Sequence, residues 1–216
     1  MISVIIPVLN EAHLLYETLQ SVSVNTYPHE LLVVDGGSSD ASIQIAMASG
    51  VRVIHSPIKQ RAAQMNLGAR EARGHTLLFL HADTLLSSQS LTQVAQSVVN
   101  RGAVSGAFTR RFDYPSHFLR ISCWLSDLRS YLLGIHLGDQ GIFVKTEVFH
   151  QLGGFREMDC FEDLDLSLRL RKRGRSLILR PPITSSGRRF EYHGPIRQTL
   201  KDFWSIVKFM LSKNET

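Results

Sequence analysis

The apolar positions of the first hundred residues follow two alternating rhythms. Short apolar runs recur as "ISVIIPV", "ELLVVD", "VRVIH" and "TLLFL", each closed by a turn or polar signal. Runs of that length read as strands of a buried parallel sheet. Between them, apolar residues step by three and four. Residues 11–24 carry Leu14, Leu15, Leu19 and Val22 at this spacing, and "ASIQIAMASG" and "KQRAAQMNLGAREARG" are read as further helices ended by Gly50 and Gly74. Glycine just past the last periodic residue marks a helix end. Strand–helix alternation predicts an α/β fold with a single, doubly wound, mostly parallel sheet and right-handed crossovers.

The second half is more mixed. "LTQVAQSVVN" predicts a helix and "AVSGAFTRRF" a strand. Residues 116–134 place Phe118, Ile121, Trp124, Leu125, Leu128, Leu132 and Leu133 on one helical stripe, expected to pack into the core. "GIFVKTEVFHQLGGF" predicts a strand, a short helix and a glycine turn; "EDLDLSLRLRKRG" predicts a helix with acids at its start and bases at its end, complementing its dipole. In "TLKDFWSIVKFMLSK", Leu200, Phe203, Trp204, Val207, Met210 and Leu211 share a face, with Lys201, Lys208 and Lys213 beside it. Such a face needs a partner: its own domain, a second subunit in a homo-oligomer, or, as the sharper alternative, weak salt-sensitive contact with an anionic membrane. No repeat or low-complexity linker divides the chain, so one domain over residues 1–216 is expected.

Composition adds two constraints. The formal charge of +5, concentrated in arginines of the C-terminal half, favours an anionic partner such as a phosphate group or an acidic membrane surface. No basic–aromatic platform supports nucleic-acid binding. The two cysteines, Cys123 and Cys160, form no metal-type cluster, which favours a reduced setting over a disulfide scaffold. "MISVIIPV" lacks a basic signal-type start, and no apolar run approaches the roughly 20 residues that span a bilayer. A cytoplasmic protein is expected, with peripheral contact at the inner membrane face left open.

Polar residues gather where the predicted strands end, the edge at which open α/β sheets bind ligands. Pro7, Asn10 and Glu11 follow the first strand; Asp35, Gly36 and Gly37 follow the second; His81 and Asp83 follow the fourth. "DGGSSD" suits either an ordinary strand-to-helix turn, with Ser38, Ser39 or Asp40 as a cap, or a ligand loop. His81 and Asp83 point to one side of an extended segment and suit a divalent metal or local hydrogen bonding. Arg61, Gln64 and Asn66 surround a helix start, either an anion site or a solvated face. Asp139 and Gln140 in "GDQG" are turn residues or ligand contacts. Glu162 and Asp163 open a helix, as dipole partners or with one acid as a general base; Asp165 is expected to face elsewhere.

Taken in order, "VIIPVLNE", "VVDGGSSD", "RAAQMNLGA", "LLFLHADT", "GDQGIFV", "LGGF" and "EDLDLSLRLRKRG" resemble GT-A-fold glycosyltransferases of family 2, over nearly all of the chain to about residue 175. With "HADT", "GDQ" and "ITSSGRRF", the chain most resembles a small bacterial subgroup often labelled arsenosugar-biosynthesis glycosyltransferases. The resemblance implies transfer of a hexose from a nucleotide-diphospho-sugar to an acceptor hydroxyl, with inversion and metal assistance. Residues 1–100 would hold the donor, 101–198 the acceptor and catalytic groups, and 199–216 the amphipathic helix.

Within that frame Pro7, Asn10, Glu11 and Asp35 line the nucleoside pocket, Asp35 accepting from a base N–H while Gly36 and Gly37 keep room. Arg61, Gln64, Asn66, Asp139 and Gln140 join the donor site. Asp83 matches the last acid of the family's DXD motif and would hold Mg²⁺ or Mn²⁺. His81 replaces the first acid, which removes a negative charge: either metal binding is weakened or His81 faces the ribose or phosphate instead. Asp163 matches the general base, beside Glu162. Arg188 and Arg189 would meet phosphate, and His193 would supply a late metal contact. The acceptor is unnamed, with a lipid-linked one among the options. Two other functions fit the layout: a nucleotidyltransferase, although "PVLNE" lacks the expected glycine- and base-rich loop, and a non-catalytic sugar-nucleotide-binding or assembly protein.

Overall fold

The computed structural model describes residues 1–158 and 160–212. Its centre is β1 (Ile2–Val8), whose Val4, Ile5 and Ile6 are wholly buried. Alternate side chains of β1 enter opposite cores. Val4 and Ile6 meet Leu15, Leu19 and Val22 of α1 (Ala12–Ser23) and Leu91 and Val94 of α4 (Ser90–Asn100). Ile5 joins Ala62, Met65 and Ala69 of α3 (Arg61–Glu71) on the other face. A strand buried on both sides carries no polar alternation, which is why this one reads as a plain apolar run. Pro7 fits because it shares the parity of Ile5, whose carbonyl faces β4 (Thr76–Phe79), and the β4 register stops at Ile5↔Phe79. The missing N–H therefore falls beyond that ladder.

The eight-stranded sheet runs β3-β2-β1-β4-β7-β6-β8-β5. β2 (His29–Asp35) and β3 (Arg52–His55) extend the parallel half beside β1, with α2 (Ser42–Ala48) between them in sequence. β7 (Ile142–Lys145) is antiparallel to β4 and to β6 (Ser105–Phe112). β8 (Ser176–Ser185) lies parallel to β6, and the two-residue β5 (Thr84–Leu85) closes the edge antiparallel to it. The expected α/β sheet with helices on both faces is present, parallel in its first half and mixed in its second. After β6 come α5 (His117–Leu133), α6 (Thr146–Gln151), α7 (Glu162–Leu170), α8 (Arg188–His193) and α9 (Pro195–Ser212).

Two expectations need correction. The stripe on α5 does not enter the core: Ile121, Trp124, Leu125, Leu128, Leu132 and Leu133 are exposed, while Leu119, Cys123, Ser126 and Ser130 are buried. The helix turns its small and polar side inward. α9 behaves similarly, burying Gln198 and leaving Leu200, Phe203, Trp204, Met210 and Leu211 exposed; Lys213 lies outside the described residues.

Gly106 in β6 packs so closely that a Cβ there would lie 2.1 Å from the Leu177 carbonyl oxygen and 2.5 Å from the Phe143 ring. Gly106→Ala is expected to destabilise the protein by about 3 kcal/mol, as overpacking against backbone has nowhere to relax. A denaturation midpoint within error of wild type would contradict this packing.

Candidate active site

The carboxyl ends of β1, β2 and β4 converge on one edge, and the loops leaving them are stitched together. Ser38 Oγ accepts the Asn10 N–H at 3.0 Å, Ser42 Oγ accepts that of Glu11 at 2.9 Å, and Asp40 accepts that of Ala12 at 3.0 Å. The "SSDAS" segment therefore satisfies the orphan donors where α1 begins. Asn10 adopts φ 56°, a left-handed conformation Asn tolerates, and its side-chain oxygen accepts the Ser39 N–H at 2.8 Å. Sequence reading named Asp40 only as a cap for the following helix, where it does accept the Ser42 N–H at 2.9 Å, and missed Ser42 and the tie from Asp40 to α1, although short polar side chains at a turn are the available signal.

Asp35 ends β2, 1% exposed. Its carboxylate accepts the Gly37 N–H at 2.8 Å and the Ser38 N–H at 3.1 Å, so it shapes the loop. Gly37 needs its φ of 92°, whereas Gly36 makes room for Gln64, whose amide nitrogen a Cβ at Gly36 would meet at 3.0 Å. The Gln64 amide donates to the carbonyls of Val8 at 2.9 Å and Val34 at 2.7 Å, clamping β1 to β2. Asn66 exchanges two hydrogen bonds with the Phe155 backbone, each 2.9 Å. Both amides were expected in the donor site; here their polar atoms hold backbone.

Arg61 opens α3 and donates through Nε to Glu162, which is 2% exposed. Its Nη1 stands 3.4 Å from His81 Nε2. Burial, followed by the positive charges of Arg61, Arg189 and Arg110, pushes His81 down to about 3, so it is neutral at physiological pH. Asp83 lies one step on, with Oδ1 3.3 Å from the Thr84 hydroxyl and Oδ2 3.8 Å from Arg188 Nη2. Burial is the leading influence on its carboxyl and raises it, against the opposing charge of Arg188. The same Arg188 nitrogen reaches both oxygens of Glu11 at 2.8 and 2.7 Å, tying α8 across the site to the end of β1.

Asp163 is 9% exposed in the first turn of α7. Its two oxygens accept the N–H groups of Gly138 and Leu164, the latter at 2.7 Å. Burial raises its carboxyl; Arg61 opposes and Glu162 adds to the rise. Gly138 brings the groups together: a Cβ there would lie 2.8 Å from Asp163 Oδ2 and 2.9 Å from His81 Nε2. Phe161, just before α7, is the second non-glycine residue at positive φ among the described residues, at 65°. Both such residues, Asn10 and Phe161, flank this edge, where backbone strain often sits in functional sites.

The turn Gly138–Gln140 precedes β7. Gln140 is wholly buried, and its side-chain oxygen accepts from Arg129 at 3.1 Å, Ser130 at 3.2 Å and the Leu137 N–H at 3.1 Å, so it organises the turn. Asp139 pairs with Arg110, a largely covered β6 arginine that sequence reading left as an ordinary strand residue. Arg189 pairs with Asp202 of α9 at 3.3 Å. His193 is exposed at the end of α8 with its ring against Tyr192.

Among the described residues no three His, Cys, Asp or Glu side chains converge as a metal cluster. His193, exposed at the end of α8, belongs to no such group of three. Asp83 alone still fits Mg²⁺ or Mn²⁺ of the sort that is shared with a substrate diphosphate, because such ions need only one or two protein carboxylates. A surface cleft of about 680 Å³ lies elsewhere, against Met1, Ile2, Gly74 and Thr146 near the strands' amino ends. Chemistry favours the carboxyl edge, where the acids, His81 and the arginines meet.

Comparison with known proteins identifies the family and the fold. Residues 3–157 match the family described as Glycosyl transferase family 2. The chain is 32% identical over 124 residues to glycosyltransferase AglE of Haloferax volcanii, a stretch covering 53% of this chain and 41% of that protein. It is 41% identical over 103 residues to a PGL/p-HBAD biosynthesis glycosyltransferase of Mycobacterium bovis, covering 44% and 40% respectively. These matches thus span about two fifths of each relative's length. Among solved structures, residues 1–349 of Staphylococcus aureus TarS superpose with a TM-score of 0.72 at 18% identity, covering 86% of this chain and 60% of that one. Mannosyltransferase PcManGT of Pyrobaculum calidifontis, in complex with GDP-Man and Mn²⁺, gives 0.70 at 21%, covering 86% and 56%. These likenesses establish the GT-A-like fold, and with the family match over residues 3–157 the chain belongs to glycosyl transferase family 2.

Proposed function

We propose that this chain transfers a hexosyl group from a nucleoside-diphospho-sugar to an acceptor hydroxyl, with inversion. The observation that carries the reading is Asp163: a buried carboxylate with raised proton affinity, aimed by the Gly138 and Leu164 N–H groups, beside neutral His81. A raised carboxyl suits a general base near neutral pH. Asp163 takes the acceptor hydroxyl proton as the acceptor oxygen bonds to the anomeric carbon. The bond from that carbon to the diphosphate oxygen breaks, and the nucleoside diphosphate leaves with the electron pair.

Pro7, Asn10 and Asp35 border the nucleoside, and a base N–H would join Gly37 and Ser38 as donors to Asp35. Glu11 holds Arg188 facing Asp83. Arg61, Arg188 and Arg189 supply guanidinium groups, the fork geometry that phosphate favours. Mg²⁺ or Mn²⁺ bound at Asp83 would add positive charge against the departing diphosphate. Gln64, Asn66 and Gln140 act at one remove, holding the strand ends and the turn. Solved relatives are seen with UDP-GlcNAc and with GDP-Man, which makes UDP- and GDP-linked hexoses the first donors to try. The arsenosugar label adds no acceptor, since no residue here distinguishes one.

The test is turnover of such donors, with release of nucleoside diphosphate dependent on an acceptor. Binding without turnover across a broad acceptor panel would favour a sugar-nucleotide-binding protein; pyrophosphate exchange would favour a nucleotidyltransferase. A second test concerns the metal. Asp83→Ala is expected to keep the fold while nucleoside diphosphate binding, followed by calorimetry, becomes the same with Mn²⁺ and with chelator. Unchanged metal dependence would remove Asp83 as the ligand.

A further inference from the structure

α5 and α9 are both turned inside out. A helix on a globular protein buries its apolar stripe and wets its polar one. α5 instead buries Cys123, Ser126 and Ser130 beside Leu119, and α9 buries Gln198 and directs Asp202 to Arg189. The two helices pack against each other, and α9 is pinned further by Phe209 on Phe161, ring centroids 5.1 Å apart. Their outward residues include Ile121, Trp124 and Leu128 on α5 and Leu200, Phe203 and Trp204 on α9, all exposed. The chain has two tryptophans, and these are both of them, 62% and 66% exposed. Tryptophan is rarely left so exposed in a globular protein and is enriched at membrane–water boundaries.

Charge selects the occupant. Arg120, Arg197, Lys201 and Lys208 are exposed along the two helices. The acids of the described parts of these helices are Asp127, half-buried near Arg110 and Arg129, and Asp202, paired with Arg189. A second copy docking symmetrically would set this basic rim against itself. An anionic lipid surface accepts both the tryptophans and the basic rim. Among the described residues no helix is long and apolar enough to cross a membrane, so contact would be from the side.

We propose that α5 and α9 together form a face that docks on an anionic bilayer. The face adjoins the reactive turn: Arg129 and Ser130 of α5 bond Gln140, and the Gly138 N–H of that turn holds Asp163. Docking places Asp163 beside the lipid surface, so the acceptor hydroxyl belongs to a membrane-borne molecule. That last step rests on the transferase reading; the docking does not.

The full chain is to be floated with phosphatidylglycerol-rich vesicles and with phosphatidylcholine vesicles at low salt. Binding to the first alone, weakened by added salt, is expected, with a blue shift of the tryptophan emission as Trp124 and Trp204 leave water. Trp124→Gln with Trp204→Gln should lower the bound fraction by about tenfold or more while nucleoside diphosphate affinity stays unchanged. Lys201→Glu with Lys208→Glu should abolish the preference for anionic vesicles. No binding to anionic vesicles at low salt overturns the proposal, as does equal binding to both kinds. So does a dimer, seen by light scattering, that the tryptophan variant dissociates and vesicles do not. Vesicle binding without any nucleotide binding would instead leave the docking intact and remove the transferase reading.

Discussion

Asp163→Asn is expected to keep donor affinity and to lose transfer by about 10²-fold or more. Asparagine has the size of aspartate, and its amide oxygen still accepts the Leu164 N–H that Asp163 accepts at 2.7 Å. What it lacks is a site for the acceptor proton. The wild-type rate should fall as pH drops through the Asp163 carboxyl, and that limb should lie above the ordinary carboxylate position, because burial, with Glu162 adding to it, raises the group against Arg61 and the two N–H donors. The residual rate of the variant should show no such limb. Donor affinity, measured by calorimetry in both proteins, separates loss of the base from loss of the site. Near-normal transfer by the variant would leave Asp163 as a helix-start acid held by Gly138, with the base elsewhere. Gly138→Ala gives an independent check: its Cβ would press on Asp163 and His81 together, so transfer should fall while the Asp35 loop, the proposed nucleoside site, remains.

The first half of the fold was legible because each strand there is buried on both faces and reads as an unbroken apolar run. β8 was not. Pro181 and Pro182 stand in its middle, and proline argues against a strand assignment. The strand forms nonetheless, against β6, whose register shifts between Phe108 and Arg110. For α5, periodicity located a stripe but carried no information on which side of the helix faces the protein. In the site, strand-end and helix-start acids were visible as such, because Asp35, Asp83 and Asp163 follow apolar runs or open a helix. The duties of Gln64 and Asn66 were not visible. Their partners lie on backbone far along the chain, at Val8, Val34 and Phe155, and no local pattern announces them. Arg110 was hidden for the same reason: its partner Asp139 arrives from a turn beyond α5.

Arg61→Leu is expected to be the most destabilising single change at the site edge. Glu162 has a side chain 3% exposed, and Arg61 is its cationic partner, whereas the Arg61 side chain is 43% exposed. The pair is therefore asymmetric. Removing the arginine strands a carboxylate out of reach of water, and breaking a buried pair in that direction costs about 3 kcal/mol or more. For a chain of 216 residues that corresponds to a melting temperature lower by about 10 °C. Glu162→Gln removes the buried charge and leaves an arginine that water can solvate, so it should cost less than about 1 kcal/mol. Arg61→Leu combined with Glu162→Gln should then recover most of the stability lost by Arg61→Leu alone. Transfer should not recover with it, because the guanidinium that faces His81, and that is proposed to meet the diphosphate, is still missing. Equal costs for the two single changes, or a double variant no more stable than Arg61→Leu, would mean that Glu162 is held by α7 itself and that Arg61 serves the ligand only.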